Sequence, residues 1–179
     1  MSYQERRQQL ADTLKQQTAG SVRLDKTTSN VFRDRPTTQA QRLLDVSQFN
    51  HVLNVDPQNS LIETEGMTTY EALVDRSLSH GVMPAVVPQL KSITIGGAVS
   101  GIGIESSSFR YGLPHESIGE MDVLLGSGEV VTCTPDNEHR GLFYGLANSY
   151  GTLGYILRLT VLAIPVKPYV QLTHIRFTD

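Results

Sequence analysis

The stretch Ser92–Gly112, SITIGGAVSGIGIESSSFRYG, poses the main structural question of this chain. It holds five glycines and five serines, yet β-branched residues such as Ile95, Val99 and Ile104 run through it. A flexible linker would lack these apolar residues, and a buried strand would lack the glycines. Glycine permits sharp turns and lets a ligand approach the main chain, where exposed N–H groups bind anions. The stretch predicts a rigid loop that presents backbone polar groups to a large polar or phosphorylated ligand; a glycine-rich turn without a ligand is the alternative.

The composition is that of a globular chain with one domain or two small subdomains, since it has 179 residues and a formal net charge of −3. This charge disfavours a nucleic-acid partner or an anionic membrane surface. The sequence has no apolar run of about 18 residues that predicts a membrane span, and its polar start, MSYQERRQQL, is not a secretory signal. Cys133 is the single cysteine, which excludes an internal disulfide and favours a cytoplasmic location. The histidines show no metal-ligand spacing.

The first half of the chain predicts a helix, several short strands and a second helix. The helix over residues 3–17 has a narrow apolar stripe, so we expect it to be peripheral. Thr68 and Glu71 have the spacing of a capping box at the start of the second helix, and Gly81 is expected to end it. Strands are predicted over 21–26, 42–47, 51–56 and 60–66, the last three as a small antiparallel sheet.

The second half predicts a hairpin, a helix and a strand around the glycine-serine stretch. Residues 82–91 contain Pro84 and Pro88, so they can be extended but not a central strand. The hairpin covers 120–134, a helix is expected to start at Thr134 and Pro135 and to run to Ala147, and a strand covers 155–164. The final VQLTHIRFTD has a strand-like pattern, so we expect the chain to be part of a longer protein. This order of elements predicts the α+β class.

A dinucleotide-binding fingerprint is one interpretation of the glycines. Gly101, Gly103 and Ser106 form G-x-G-x-x-S, and Asp122 lies 19 residues after Gly103, near the expected acidic position. The fingerprint requires a strand before it and a helix after it. Here a segment with two prolines precedes it and a hairpin follows, which argues against this fold.

Several motifs together resemble the FAD-binding PCMH-type domain of the vanillyl-alcohol oxidase superfamily, with the sterol side-chain reductases (delta-24-sterol reductase group) as the nearest likeness. The resemblance extends over roughly residues 22–174. The glycine-serine stretch is its most specific part. The other motifs, in chain order, are TEGMTTYEAL (64–73), GSGEVVTCTPDNE (126–138), LFYGLANSYGTLGYI (142–156) and AIPVKPYVQLT (163–173).

The resemblance implies an N-terminal helix over 1–20, followed by two small α/β subdomains over 21–82 and 83–179. In this family a non-covalently bound FAD lies extended between the two subdomains. The substrate is held by a separate C-terminal domain, which this chain does not include. The family likeness therefore implies that FAD is the cofactor and that the substrate is a small organic molecule.

The resemblance also implies which residues contact FAD. The flavin side falls to the backbone of Thr94, Ile95, Gly96 and Gly97, and the pyrophosphate and ribitol to Gly101, Ile102, Gly103, Ile104, Glu105 and Ser106. Ser107, Ser108, Tyr111 and Gly112 complete this loop, while Gly154 and Ile156 meet the adenine end. No general acid or base and no metal ligand is assigned; Glu105 has no partner that would make it a base.

The first phosphate-binding loop departs from the family pattern. Many members have a glycine-rich loop with a histidine, whereas residues 25–35, DKTTSNVFRDR, have neither. Lys26, Thr28, Ser29 and Asn30 either donate to phosphate or form a solvated loop. The missing histidine argues against a histidyl–flavin bond through this loop. Cys133 lies in a predicted strand and is interpreted as a small core residue.

Two functions of different kinds follow. The first is an FAD-dependent oxidoreductase that reduces a carbon–carbon double bond with NAD(P)H as the donor; oxidation of an alcohol or hydroxy acid is an alternative within this class. The second is a non-catalytic module that has lost the cofactor, which the glycine-poor first loop favours. On the first interpretation we expect the 179-residue chain to bind FAD weakly and to show little turnover.

Overall fold

The computed structural model describes residues 1–16, 22–25 and 42–178. In this part of the chain the helices are α1 (Tyr3–Gln16), α2 (Tyr70–Leu78), α3 (Ile95–Gly101), α4 (Ser108–Tyr111) and α5 (Arg140–Gly145), and a 3-10 helix covers Pro114–Ser117. The strands are β1 (Val22–Asp25), β2 (Arg42–Asp45), β3 (Val52–Asp56), β4 (Leu61–Glu65), β5 (Val82–Pro84), β6 (Ile118–Leu124), β7 (Val130–Cys133) and β8 (Tyr155–Pro165). The α+β class is confirmed.

The main sheet is antiparallel and is built around β8. Its strand order is β3-β4-β8-β6-β7, and the short β5 pairs with the far end of β8. The predicted hairpin is confirmed, because β6 pairs with β7 from Met121–Cys133 to Leu124–Val130. The division at residue 82 stays a prediction; β3 and β4, which precede it, share their sheet with β6 and β8.

The prediction that β2 joins β3 and β4 in one antiparallel sheet is wrong. β2 pairs in parallel with β1, so that Leu24 lies opposite Leu44. A parallel connection needs a dozen or more residues, and residues 26–41 provide this length. Leu44 and Val46 are buried in a core that includes α1, and this burial stabilises β2 in its position outside the main sheet.

Each face of the main sheet carries a hydrophobic core. One core packs α2, α3 and α5 against side chains such as Met121 and Leu159. The other packs α1 through Leu10, Ala11 and Leu14, the stripe that the sequence predicts. Only this stripe of α1 is buried and its other residues are exposed or partly exposed, as in a helix packed on the outside of the sheet; its peripheral position stays a prediction.

The predicted loop at Ser92–Gly112 contains helix α3. Thr94 caps this helix, since its side-chain oxygen accepts from the Gly97 amide at 3.2 Å. Ile95 and Val99 are 0% and 1% exposed and lie one turn apart on the buried face. Burial of this face and the cap therefore outweigh the low helix propensity of the glycines.

The helix expected from Thr134 begins later, at Arg140. The Asn137 side chain accepts from the amides of Thr134 and His139 and donates to the Thr132 carbonyl, so it closes a turn at the place of the predicted first turn. Such local bonds compete with helix formation.

The strand expected at the end of the chain is also wrong. Residues 166–178 have no regular secondary structure. Tyr169, Val170 and Phe177 are 87%, 83% and 80% exposed, so apolar residues with a strand-like pattern have no sheet to pair with among the described residues.

Candidate functional site

The first amides of α3 are not free to donate hydrogen bonds to a ligand. Each of these N–H groups already donates to the protein itself, which removes the donors that the flavin side was expected to use. The bonds run from Ile95 N to Thr68 O at 2.9 Å, from Gly96 N to Gly66 O at 2.9 Å and from Gly97 N to Thr94 Oγ1 at 3.2 Å.

At three glycines in or near this helix a side chain would not fit, because protein backbone lies directly against the Cα. A Cβ on Gly96 would meet the Gly66 carbonyl oxygen at 2.7 Å, and a Cβ on Gly66 would meet the Ile156 oxygen at 2.0 Å. A Cβ on Gly154 would lie 2.9 Å from the Leu124 oxygen. Close packing of α3, β8 and β6 accounts for these glycines without a ligand.

Gly101 and Gly103 have no such explanation. A Cβ on Gly101 would come no closer than 3.7 Å to another residue, the Tyr150 ring, and one on Gly103 would lie 3.5 Å from Glu105 Oε1. These are ordinary van der Waals distances. Neither glycine has a positive φ, so the backbone conformation does not require glycine either. Both positions therefore have room for a side chain, as Gly119, Gly126 and Gly141 also do, and a ligand can approach the main chain there.

The segment Ile102–Ser107, here called the cradle loop, alternates in exposure. Ile102, Ile104 and Ser106 are exposed, whereas the residues between them are partly buried. Among the hydrogen bonds between described residues, none uses the amides of Gly103, Ile104 or Ser106. The cradle loop therefore presents N–H donors that no described residue accepts, beside apolar side chains, of which Ile104 is 81% exposed.

Backbone strain lies at the same place. Ile102 has φ 55°, which is a rare value for a β-branched residue. Asn148 and Tyr150, in the loop after α5, have φ 61° and 51°. The Tyr150 amide donates to the Ser100 carbonyl at 3.0 Å, which joins this loop to the end of α3. Strained residues cluster at ligand clamps and active sites, so the junction of these two loops is the candidate site.

A sequence model of the family described as "FAD binding domain" matches residues 7–134. The chain belongs to this family of FAD-binding domains. Over 131 residues it is 34% identical to Delta(24)-sterol reductase of Pisum sativum, which is 73% of this chain and 23% of the relative. It is 36% identical over 121 residues to the Homo sapiens Delta(24)-sterol reductase, 68% of this chain and 23% of the relative. It is 28% identical over 130 residues to cytokinin dehydrogenase 10 of Oryza sativa, 73% and 24%. The chain thus spans about a quarter of these curated relatives.

The donors of the cradle loop fit the pyrophosphate of FAD. A pyrophosphate carries two negative charges and is bound in proteins by clusters of backbone N–H groups. The unpaired amides of Gly103, Ile104 and Ser106 are donors of this kind, and Gly101 and Gly103 let the phosphate oxygens come close. The predicted first phosphate-binding residues Lys26, Thr28, Ser29 and Asn30 lie outside the described residues.

The remaining residues predicted to contact FAD lie away from the open amides. Tyr111 ends α4, and Gly112 follows with φ 77°, where its N–H donates to Ser108 and a Cβ would collide with Glu116. Ile156 is 3% exposed and belongs to the core under α3. Gly154 packs on β6, as described above. Ile95, Gly96, Gly112, Gly154 and Ile156 therefore support the site through packing, and their contact with FAD stays a prediction.

The sequence analysis missed a polar network on the sheet face that α1 covers. Asp122, which lies near the acidic position of the fingerprint considered above, is 3% exposed, and its carboxylate accepts hydrogen bonds from other side chains of the protein. Burial by itself raises the pKa of Asp122, but hydrogen bonds outweigh burial and hold this pKa below its usual value. The donors are Arg158 at 2.9 Å, Tyr3 at 2.7 Å and Thr132 at 2.7 Å, and Arg158 also binds Glu63 and Glu120. An acidic residue paired with an arginine across two strands is not visible in a local pattern.

Cys133 is buried in the core, as the sequence predicts. Burial, assisted by the charge of Asp122, raises the pKa of its thiol to about 11, so the reactive thiolate is scarce at neutral pH. Among the described residues no group of three or more His, Cys, Asp or Glu side chains could hold a metal ion. In the same residues no helix is long and apolar enough to cross a membrane.

Proposed function

We propose that this chain is the cofactor-binding part of an FAD-dependent oxidoreductase and that the cradle loop holds the pyrophosphate of FAD. The observation that supports this most directly is the run of amides at Gly103, Ile104 and Ser106 that no described residue accepts, beside two glycines, Gly101 and Gly103, that leave the main chain accessible. Their position beside unpaired amides and a strained Ile102 favours a bound ligand over a turn without one. The family of FAD-binding domains supplies the identity of the ligand.

Bound FAD would supply a flavin that accepts or donates a hydride. The residues of this chain would bind and orient it. The amides of Gly103, Ile104 and Ser106 would donate to the pyrophosphate, and the exposed side chains of Ile102 and Ile104 would pack against apolar parts of the bound FAD. The binding is non-covalent on this proposal, because the buried Cys133 thiol cannot reach a ligand from the core.

The substrate class is proposed from the relatives. Relatives named Delta(24)-sterol reductase favour reduction of an organic substrate. On the family resemblance, the group reduced is a carbon–carbon double bond and the donor is NAD(P)H. The relative named cytokinin dehydrogenase favours a second candidate, oxidation of an organic substrate on the same fold. We also propose a cytoplasmic location, on the ground of the single buried cysteine.

The proposal is tested by the visible absorbance and fluorescence of the purified chain, before and after incubation with excess FAD and desalting. We expect flavin to be retained, and to be released intact by heat or acid because it is not covalently bound. Protein that stays colourless at every FAD concentration would contradict the proposed site. Release of a flavin only after proteolysis would contradict non-covalent binding.

The reaction class is tested separately on retained flavin. Reduction of the bound flavin by NADH or NADPH, followed by reoxidation with an unsaturated substrate, supports the reductase. Reduction by the organic substrate alone, without a nicotinamide, supports the second candidate. We expect little turnover from the 179-residue chain, since it spans about a quarter of its relatives.

A further inference from the structure

The amides of Gly103, Ile104 and Ser106 have no acceptor among the described residues, so the cradle loop is supported by other bonds. Two side chains provide these bonds. The Glu105 carboxylate accepts from the Gln89 amide at 3.2 Å, and the Ser107 hydroxyl donates to the Ala85 carbonyl at 3.0 Å. Both contacts reach the same segment, residues 84–89, which is distant in sequence. The loop is therefore tied by two side chains to residues 84–89, while the amides of Gly103, Ile104 and Ser106 have no acceptor among the described residues.

Glu105 also shapes the loop locally. Its amide donates to the Ser108 hydroxyl at 3.0 Å, and its carbonyl accepts from the Ser108 amide at 2.9 Å. Its second carboxylate oxygen lies 3.5 Å from the position that a Cβ on Gly103 would take. One residue thus joins the open part of the loop to the turn that starts α4.

The segment that receives these bonds is rigid. Pro84 and Pro88 fix two backbone φ angles in it. The Ala85 amide donates to the Leu162 carbonyl of β8 at 2.9 Å, and Ala85 and Val86 are 0% and 1% exposed. The carboxylate of Glu105 is therefore tied, through the Gln89 amide, to a segment that is itself fixed to the central strand of the sheet.

We propose that Glu105 is a positioning residue that holds the cradle loop in its open conformation and does not itself contact the cofactor. The inference rests on the proposed function for its effect on FAD, but the anchoring of the loop can be measured without FAD. It reassigns a residue that the family resemblance implies as an FAD contact.

The first test is limited trypsin digestion of the full chain without FAD, at the exposed Arg110 in the helix after the loop. We expect Glu105→Ala to raise the cleavage rate at Arg110 about three- to tenfold, as is typical for the loss of a partly exposed hydrogen bond to a carboxylate. Glu105→Gln keeps an acceptor oxygen and should restore the wild-type rate. Glu138→Ala is the matched control, because it removes a carboxylate whose side chain is 86% exposed and lies outside the loop.

The second test is the FAD dissociation constant of the same proteins. Glu105→Ala should weaken binding about three- to tenfold, with Glu105→Gln and Glu138→Ala unchanged. If Glu105→Ala is too unstable for either test, Ser107→Ala removes the neighbouring bond and should raise cleavage in the same direction.

The possible results separate the two proposals. Unchanged cleavage in Glu105→Ala and Ser107→Ala would overturn the positioning role. Weak FAD binding in Glu105→Gln together with normal cleavage would also overturn it, because that pattern indicates direct contact with the cofactor. Faster cleavage in Glu105→Ala with no FAD binding by any variant, wild type included, would support the anchoring of the loop and contradict the proposed function alone.

Discussion

Replacement of Gly103 and of Gly96 by alanine should separate the glycine that a ligand requires from the glycine that the fold requires. The two positions lie in the same stretch but have opposite surroundings. A Cβ on Gly103 has its nearest contact at 3.5 Å, whereas a Cβ on Gly96 would meet the Gly66 oxygen at 2.7 Å and the Gly66 Cα at 3.2 Å. The first methyl fits the protein, and the second one forces α3 away from Gly66.

The magnitudes follow from these distances. Overpacking at Gly96 costs about 1–3 kcal/mol, and loss of its 2.9 Å bond to Gly66 adds about 1 kcal/mol, so Gly96→Ala should be destabilised by roughly 2–4 kcal/mol. Gly103→Ala should be as stable as the wild type, or more stable by about 0.4–1 kcal/mol, because alanine restricts the unfolded chain. If its methyl displaces one hydrogen bond to the pyrophosphate, the loss is about 1.5–3 kcal/mol, or roughly 10- to 100-fold in Kd.

The assay combines urea unfolding with FAD titration followed by flavin fluorescence. Gly103→Ala should lose affinity without losing stability, and the larger Gly103→Val should lose more affinity. Gly96→Ala should lose stability, with a parallel loss of bound FAD only where the protein unfolds. A Gly103→Ala protein that binds FAD like the wild type would refute the assignment of the cradle loop. A Gly103→Ala protein that unfolds early would refute the packing argument.

Two further predictions concern pH and strain. The pKa of Asp122 is lowered on folding because the hydrogen bonds from Arg158, Tyr3 and Thr132 outweigh its burial, so its stabilising effect is present above the unfolded pKa of about 3.9 and is lost as the pH falls through the folded value. Urea unfolding between pH 6 and pH 3 should therefore show a free energy of unfolding that falls below about pH 4. The Asp122→Asn protein should be less stable than the wild type at neutral pH, and its free energy of unfolding should fall less steeply with pH. An equally steep fall in the variant would contradict this account. Ile102→Gly should remove the backbone strain of φ 55°, for a net gain of about 1 kcal/mol, and raise the thermal unfolding midpoint by about 2–4 °C. A lower midpoint in calorimetry would show that packing of the Ile102 side chain stabilises the protein by more than its strained backbone destabilises it.

Much of the fold could be predicted from local patterns. The β6–β7 hairpin has Gly128 with φ 82° at its tip, and the stripe Leu10, Ala11 and Leu14 of α1 is buried as its spacing predicts. Helix α2 begins one residue later than its predicted capping box, with Thr69 as the cap. These features depend on neighbours within a few residues, which is why a sequence pattern reports them.

Other features depend on partners that are distant in sequence. Helix α3 forms on a glycine-rich segment because Ile95 and Val99 are buried in the core against residues distant in sequence, such as Leu159. A Thr94 cap followed by this i, i+4 pair was the available signal. The parallel pairing of β2 depends on β1, and the turn at Asn137 depends on side-chain bonds that replace helical ones.

The sequence by itself determined that a bare glycine-serine backbone is central to this protein and that the chain resembles FAD-binding domains. Glycine content and motif order are properties of the sequence alone, so they can be identified without a structure. Only the tertiary structure decided which glycines are available to a ligand. Gly66 and Gly96 touch each other across a separation of 30 residues, whereas a Cβ on Gly101 or Gly103 would make only ordinary van der Waals contacts; the difference lies in what surrounds each Cα.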